Sequence, residues 1–169
     1  MKVRLAMTAL AALVVLGSRA LRSQDEELGL AVGAKPKAVT IEDLDGKPVD
    51  LGTWVGKKPV LLEFWATWCP LCEALLPRIR AVQQSYGGRV EFLVIAVAVN
   101  QSKASVQRHM AAHPDPFRYL WDTNGNATRA YQAPSTSYVV VLDSTGTVAY
   151  TGIGSDQDIA AAVRRVVLH

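Results

Sequence analysis

Apolar residues along this chain fall into three patterns. Val60-Leu61-Leu62-Glu63-Phe64-Trp65 and Val90 to Val99 are nearly continuous apolar runs of strand length, interrupted by Glu63 in the first and Glu91 in the second. Such runs predict strands buried on both faces. Between them, from Cys69 onward, Cys72, Leu75, Leu76, Ile79 and Val82 recur at helical spacing until Gly87-Gly88 ends the pattern. Pro77 lies inside that helix and is expected to kink it, because proline removes a backbone donor. Strand, helix and strand in this order predict a right-handed crossover in a parallel sheet. The third pattern, Leu5 to Gly17, is an apolar run broken only by Thr8.

The remaining elements are shorter. Val39-Thr40-Ile41, the turn Asp45-Gly46 and Pro48 to Leu51 predict an N-terminal hairpin at a sheet edge. Ser102 caps a predicted helix through Val106 and Met110 that Pro114-Asp115-Pro116 terminates. Phe117 to Trp121 reads as a short strand, Asp122 to Gly125 as a turn, and Ala127 to Tyr131 as a brief helix. Tyr138 to Leu142 and Thr147 to Ile153 form a predicted antiparallel hairpin around Asp143-Ser144-Thr145-Gly146. Ser155 and Asp158 resemble a capping box for a last helix with Ile159, Val163, Val166 and Val167 inward. Together these elements predict an α/β fold: a mixed sheet with helices on both faces and an N-terminal β-hairpin.

Charge changes the reading of the N-terminus. The formal net charge is +3, but Lys2, Arg4 and Arg19 lie in a segment without acids, and removing them leaves basic and acidic residues equal in number. No basic patch with interleaved aromatics appears, so nucleic acid is not an expected partner. Two early positive charges, the run to Gly17 and the small residues of Ser18-Arg19-Ala20 have the layout of a secretory signal. Residues 1–20 are therefore a cleaved signal peptide or a retained anchor, and either places the body outside the cytoplasm. Residues 21–37 are mixed and aperiodic, the expected tether, and 38–169 form one domain.

The candidate chemistry lies in Trp68-Cys69-Pro70-Leu71-Cys72, which contains both cysteines of the chain. Two thiols separated by two residues at a helix N-terminus suit reversible disulfide chemistry, because free amides and the helix dipole favour a thiolate there. A structural disulfide closes too small a loop to stabilise much. Zinc or iron needs more ligands than two cysteines supply, with His109 and His113 on another predicted helix. Cu(I) held by both thiolates and a histidine, in a copper-binding or copper-delivery module, stays open as an alternative. His109 and His113 are expected to face solvent.

Phe64-Trp65-Ala66-Thr67-Trp68-Cys69-Pro70-Leu71-Cys72 resembles the active-site segment of the thioredoxin superfamily, in its TlpA/ResA-like extracytoplasmic branch. The resemblance runs from about Ala38 to the C-terminus. It includes Pro77, Asp122, Gly125, Tyr131 and Ala133-Pro134-Ser135-Thr136, which is similar to the branch's cis-proline loop facing the dithiol. It implies a thioredoxin-like domain acting as a monomeric protein-disulfide oxidoreductase, in the reductase direction. The redox-active disulfide Cys69–Cys72 would be its only redox group, with no separate cofactor and no metal. The implied partners are a disulfide-bearing protein substrate, apocytochrome c or a cuproenzyme among the candidates, and a membrane-bound thiol donor that recycles the pair.

Cys69 is then the exposed nucleophile and Cys72, one turn further, the buried resolving thiol. Glu63 matches a buried acid of thioredoxins and is the expected proton relay; a strand-end acid reaching solvent is the plainer reading. Trp68, Ala133 and Pro134 are the expected substrate contacts, although Trp68 also reads as core and Pro134 as a strand start. About three more residues separate Pro134 from Asp143 than the family usually has, which points to a bulge or a longer strand.

Overall fold

Every residue of the first apolar run is buried, and the run forms β3 (Val60–Trp65). The computed structural model describes residues 28–168, and the reading of residues 1–20 as a leader lies outside them. β3 pairs in parallel with β4 (Glu91–Val97), which pairs in parallel with β5 (Arg118–Asp122). On its other side β3 is antiparallel to β6 (Tyr138–Leu142), and β6 to β7 (Val148–Ile153). The hairpin β1 (Thr40–Asp43) and β2 (Pro48–Asp50) closes the opposite edge, giving the order β2-β1-β5-β4-β3-β6-β7. The expected mixed sheet with an N-terminal hairpin is the sheet observed, and the hairpin is part of it.

Helices α1 (Pro70–Tyr86) and α2 (Lys103–Ala112) connect β3 to β4 and β4 to β5. Both crossovers step across the sheet in one direction, so right-handed connections put both helices on the same face. α4 (Ile159–Val167) packs against α1, β6 and β7. Alternation along β3 aims Leu61, Glu63 and Trp65 at this helical layer and Val60, Leu62 and Phe64 at the other face. There Phe64 meets Tyr131, just past α3 (Asn126–Ala130), at 5.9 Å, and Tyr138 at 5.8 Å. Asp122, at the end of β5 and 1% exposed, secures α3: it accepts from the Ala127 and Thr128 amides at 3.0 and 2.9 Å and from the Thr128 hydroxyl at 2.7 Å.

Four local expectations meet the structure. α1 continues through Pro77 for 17 residues. The cap of α4 is Asp158 itself, whose carboxylate accepts from the Ala161 amide at 2.9 Å, so the Ser155–Asp158 capping box does not form. Ser102 caps α2 as expected, with Ser105 returning the bond. The described part of the expected tether is docked: the Leu30 amide donates to the Tyr138 hydroxyl, the Gly33 amide to Val148 O, and the Val148 amide to Ala34 O. Leu30 is buried there, which gives this segment an apolar reason to stay down.

Candidate active site

The chain leaves β3 at Trp65 and reaches the dithiol within four residues. The Ala66 carbonyl accepts from the Cys69 amide at 3.1 Å and turns the backbone into α1. Cys69 is the N-cap of α1, with extended backbone, and Pro70 occupies the first turn, where its missing amide leaves no helical bond unmade. Cys69 and Cys72 form a disulfide with Cα atoms 5.3 Å apart. The Cys69 sulfur also accepts from the Cys72 amide at 3.1 Å, so a first-turn donor already faces the atom that carries charge once the bond is reduced. Cys69 is not the exposed thiol expected. It is 3% exposed, and Cys72 1%. The reason is local: its sulfur folds inward onto Cys72 and its amide, while Trp68, Pro70 and Leu71 take the outer positions.

The loop before Cys69 is strapped to the end of β4. The Trp68 indole N–H donates to Val99 O at 2.8 Å. Gln101 Oε1 accepts from both the amide and the hydroxyl of Thr67, at 2.9 and 3.0 Å, while its own amide donates to Val97 O at 2.6 Å. Trp68 is 45% exposed even so, and Leu71 and Val99 are exposed as well. Gln101 escaped the sequence reading. Its position just past the carboxyl end of a parallel strand, where α/β folds place their sites, was the available signal.

Glu63 is 2% exposed, and its Oε1 has no hydrogen-bond partner. Burial, and after it the negative charge of Asp115, push its pKa up to about 8. The register sets Glu63 beside Val94 and Val94 beside Tyr119, one row on the helical face of the sheet. Tyr119 donates its hydroxyl to Asp115 at 2.6 Å, and burial together with that bond raises its own pKa. Trp65 packs edge-on against Tyr119 at 5.5 Å and against His109 at 5.2 Å. His109 therefore does not simply face solvent: it covers Trp65, and burial, then His113 at a ring distance of 4.8 Å, lower its pKa. Among the described residues no group of three or more His, Cys, Asp and Glu side chains is placed to hold a metal.

The Ala133–Pro134 loop differs most from expectation. No peptide bond among the described residues is cis, Pro134 is exposed, and β6 begins only at Tyr138. Gln132 before Pro134 and Ser137 after it both hold positive φ (49° and 58°). Ser137, not Pro134, leads into β6 beside the dithiol strand, donating its amide to Phe64 O at 2.8 Å.

Residues 31–166 match the Redoxin family. The chain is 28% identical over 123 residues to a thiol:disulfide interchange protein TxlA homolog of Synechocystis sp., covering 72% of this chain and 63% of that one. It is 30% identical over 109 residues to the thiol-disulfide oxidoreductase ResA of Halalkalibacterium halodurans, covering 64% of this chain and 60% of that one. It thus spans less than two thirds of either relative's length. The fold is shared with a thiol:disulfide interchange protein DsbE of Chlorobium tepidum, at a TM-score of 0.70 and 22% identity, covering 82% of this chain and 96% of that one. With a capped dithiol between two parallel strands that the family match spans, the chain belongs to the Redoxin family and is similar to TlpA/ResA-like thiol-disulfide oxidoreductases.

Proposed function

We propose that this chain reduces selected protein disulfides outside the cytoplasm, with Cys69 attacking and Cys72 resolving. The observation that carries this reading is the Cys69 sulfur at the N-cap of a 17-residue helix, already accepting from the Cys72 amide. In the reduced state that amide and the helix dipole favour the Cys69 thiolate. The thiolate attacks one sulfur of the substrate disulfide, forms a mixed disulfide and expels the other substrate sulfur as a thiolate, which takes a proton. Cys72 gives its proton to ionised Glu63 and attacks the Cys69 sulfur. The second substrate thiolate leaves, two electrons have passed to the substrate, and Cys69 and Cys72 are again a disulfide. With its pKa near 8, Glu63 exchanges that proton close to neutral pH. A membrane-bound dithiol donor returns the electrons.

Trp68, Ala133 and Pro134 meet the substrate. The extracytoplasmic setting rests on the charge and apolar layout of residues 1–20. No helix of the described residues is long and apolar enough to cross a membrane. The domain works as a monomer.

The test is reduction of insulin disulfides by the dithiothreitol-charged protein. Wild type turns over, Cys69→Ser does not, and Cys72→Ser accumulates the mixed disulfide. An inactive wild type would remove the oxidoreductase reading. The direction is read separately from the reduction potential: a value near the roughly −270 mV of thioredoxin supports the reductase, and one near about −120 mV reverses it.

A further inference from the structure

Tyr138 stands opposite Ile153 at the end of the β6–β7 ladder, and opposite Phe64 at the end of the β3–β6 ladder. The residues just beyond, Ser137 and Gly154, therefore lie at the edge of the sheet from which β3 runs out to the dithiol. The Ser137 amide still reaches Phe64 O on β3, but the Ser137 and Gly154 carbonyls lie past the last ladder pair, and buried groups of this kind must find other partners. Gln157 supplies one. Its side-chain amide donates to Ser137 O at 3.0 Å and to Gly154 O at 2.7 Å, and its carbonyl oxygen accepts from the Tyr150 hydroxyl at 3.2 Å. Ser137 and Gly154 are also joined directly, by the Gly154 amide to Ser137 O and the Ser137 hydroxyl to Gly154 O, each at 3.1 Å.

Two further features belong to this cluster. Ser137 holds φ at 58°, a conformation that non-glycine residues seldom adopt and that persists where surrounding bonds over-determine it. Gly152 leaves the clamp its room: a Cβ there would lie 2.6 Å from Gln157 Oε1 and closer still to the Tyr150 hydroxyl. Gln157 is 6% exposed and Ser137 fully buried, while Ile153, Ser135 and Pro134 on the outer side of the clamp are exposed. A rigid inner knot thus holds an outward-facing rim.

We propose that Gln157 is a positioning residue for protein substrates: through the Ser137 and Gly154 carbonyls it holds the Ser135–Ser137 loop and the Ile153–Gly154 corner as a fixed rim beside the dithiol, against which an extended, disulfide-bearing polypeptide docks. This rests on the oxidoreductase reading above. A small disulfide needs only the two sulfurs and makes no use of the rim. A polypeptide must be oriented along it, so loosening the rim weakens productive docking without altering the sulfur chemistry.

The experiment compares wild type with Gln157→Leu on insulin and on 5,5′-dithiobis(2-nitrobenzoate), with the reduction potential measured for both proteins. The expected result is a rise in KM for insulin of about tenfold, the scale of one or two lost hydrogen bonds. The insulin kcat, the small-disulfide rate and the potential stay unchanged. Equal loss on both substrates, a shifted potential, or unchanged insulin kinetics in a folded variant overturns the proposal. Should Gln157→Leu not fold, Ser137→Gly decides in its place, since glycine accepts the left-handed backbone and loses only the hydroxyl bond. It is expected to show the same substrate split at smaller size, and an absent split overturns the proposal. An inactive wild type overturns the oxidoreductase reading and this inference with it, whereas an active wild type without the split overturns this inference alone.

Discussion

Replacing Glu63 by glutamine makes the folding stability of this protein less dependent on pH, and the size of the change follows from one carboxyl group. In the unfolded chain Glu63 ionises near the ordinary 4.5, whereas in the fold burial, followed by the charge of Asp115, holds it protonated to about 8. Between these values the native state carries a proton that the unfolded state has lost. Stability is therefore unaffected by Glu63 ionisation below about pH 4.5 and falls as pH rises towards 8. At about 1.4 kcal/mol per unit, the loss reaches roughly 3 kcal/mol by neutral pH. The glutamine of the Glu63→Gln variant cannot ionise, so its fixed cost for an unpaired buried amide, about 1–3 kcal/mol, is the same at every pH. Urea unfolding of both oxidised proteins at pH 5, 6, 7 and 8 isolates the effect, because every other titrating group cancels in the difference and the disulfide cysteines do not ionise. The variant should lose ground at pH 5 and recover about 3 kcal/mol relative to wild type by about pH 7.5. Parallel stability curves would refute the reasoning and show that Glu63 reaches solvent or a partner in solution.

Three more outcomes follow from the same contacts. Asp115→Asn removes the charge second to burial in raising Glu63, so the midpoint of that pH dependence should move to lower pH; an upward move contradicts the electrostatic assignment. Gln101→Ala frees Thr67 and the Val97 carbonyl in a half-exposed strap, and should cost about 1 kcal/mol in urea unfolding while slowing insulin reduction; unchanged values in both assays make the strap dispensable. Asp122→Ala strips three bonds from the first turn of α3 in a buried setting and should cost about 3 kcal/mol, a loss below about 1 kcal/mol counting against the cap.

What could be read from the sequence was what periodicity and local chemistry determine. β3 and α1 were legible because an uninterrupted apolar run and a helical stripe have few alternatives, and the dithiol because its two thiols are three positions apart. The strap on Thr67 and the clamp on Ser137 were not legible. Gln101 and Gln157 are ordinary polar residues until the topology brings their partners to them, 34 and 20 positions away. At Pro134 the local motif was legible but the expected cis bond is absent among the described residues, and Ser137 makes the bond to Phe64 that leads into β6. Cys69 reads correctly as the residue opening α1 but is not exposed, because the inward fold of its sulfur depends on the bond to Cys72. Short-range patterns determine elements, whereas exposure and long-range hydrogen bonds wait on the assembled sheet.

If Glu63 relays the Cys72 proton as proposed, the two halves of the catalytic cycle should show opposite pH dependence. When Cys72 attacks the mixed disulfide it must lose a proton, and in the proposed relay ionised Glu63 accepts it; this step should then speed up as pH rises towards 8. When a donor thiol reduces the Cys69–Cys72 bond, attack at Cys69 expels Cys72 as a thiolate into an apolar setting, where protonated Glu63 can return the proton. That step should lose its assistance over the same range. The donor's own ionisation hides the second trend, so each half-reaction is measured by rapid mixing in wild type and in Glu63→Gln, and the ratio of the two rates is plotted against pH. For release of the mixed disulfide the wild-type advantage should grow from about pH 6 to 8; for reduction of the internal disulfide it should shrink. Two ratios rising together would show that Glu63 acts only through the general electrostatics of the site, because a proton relay has to work in opposite senses in the two directions.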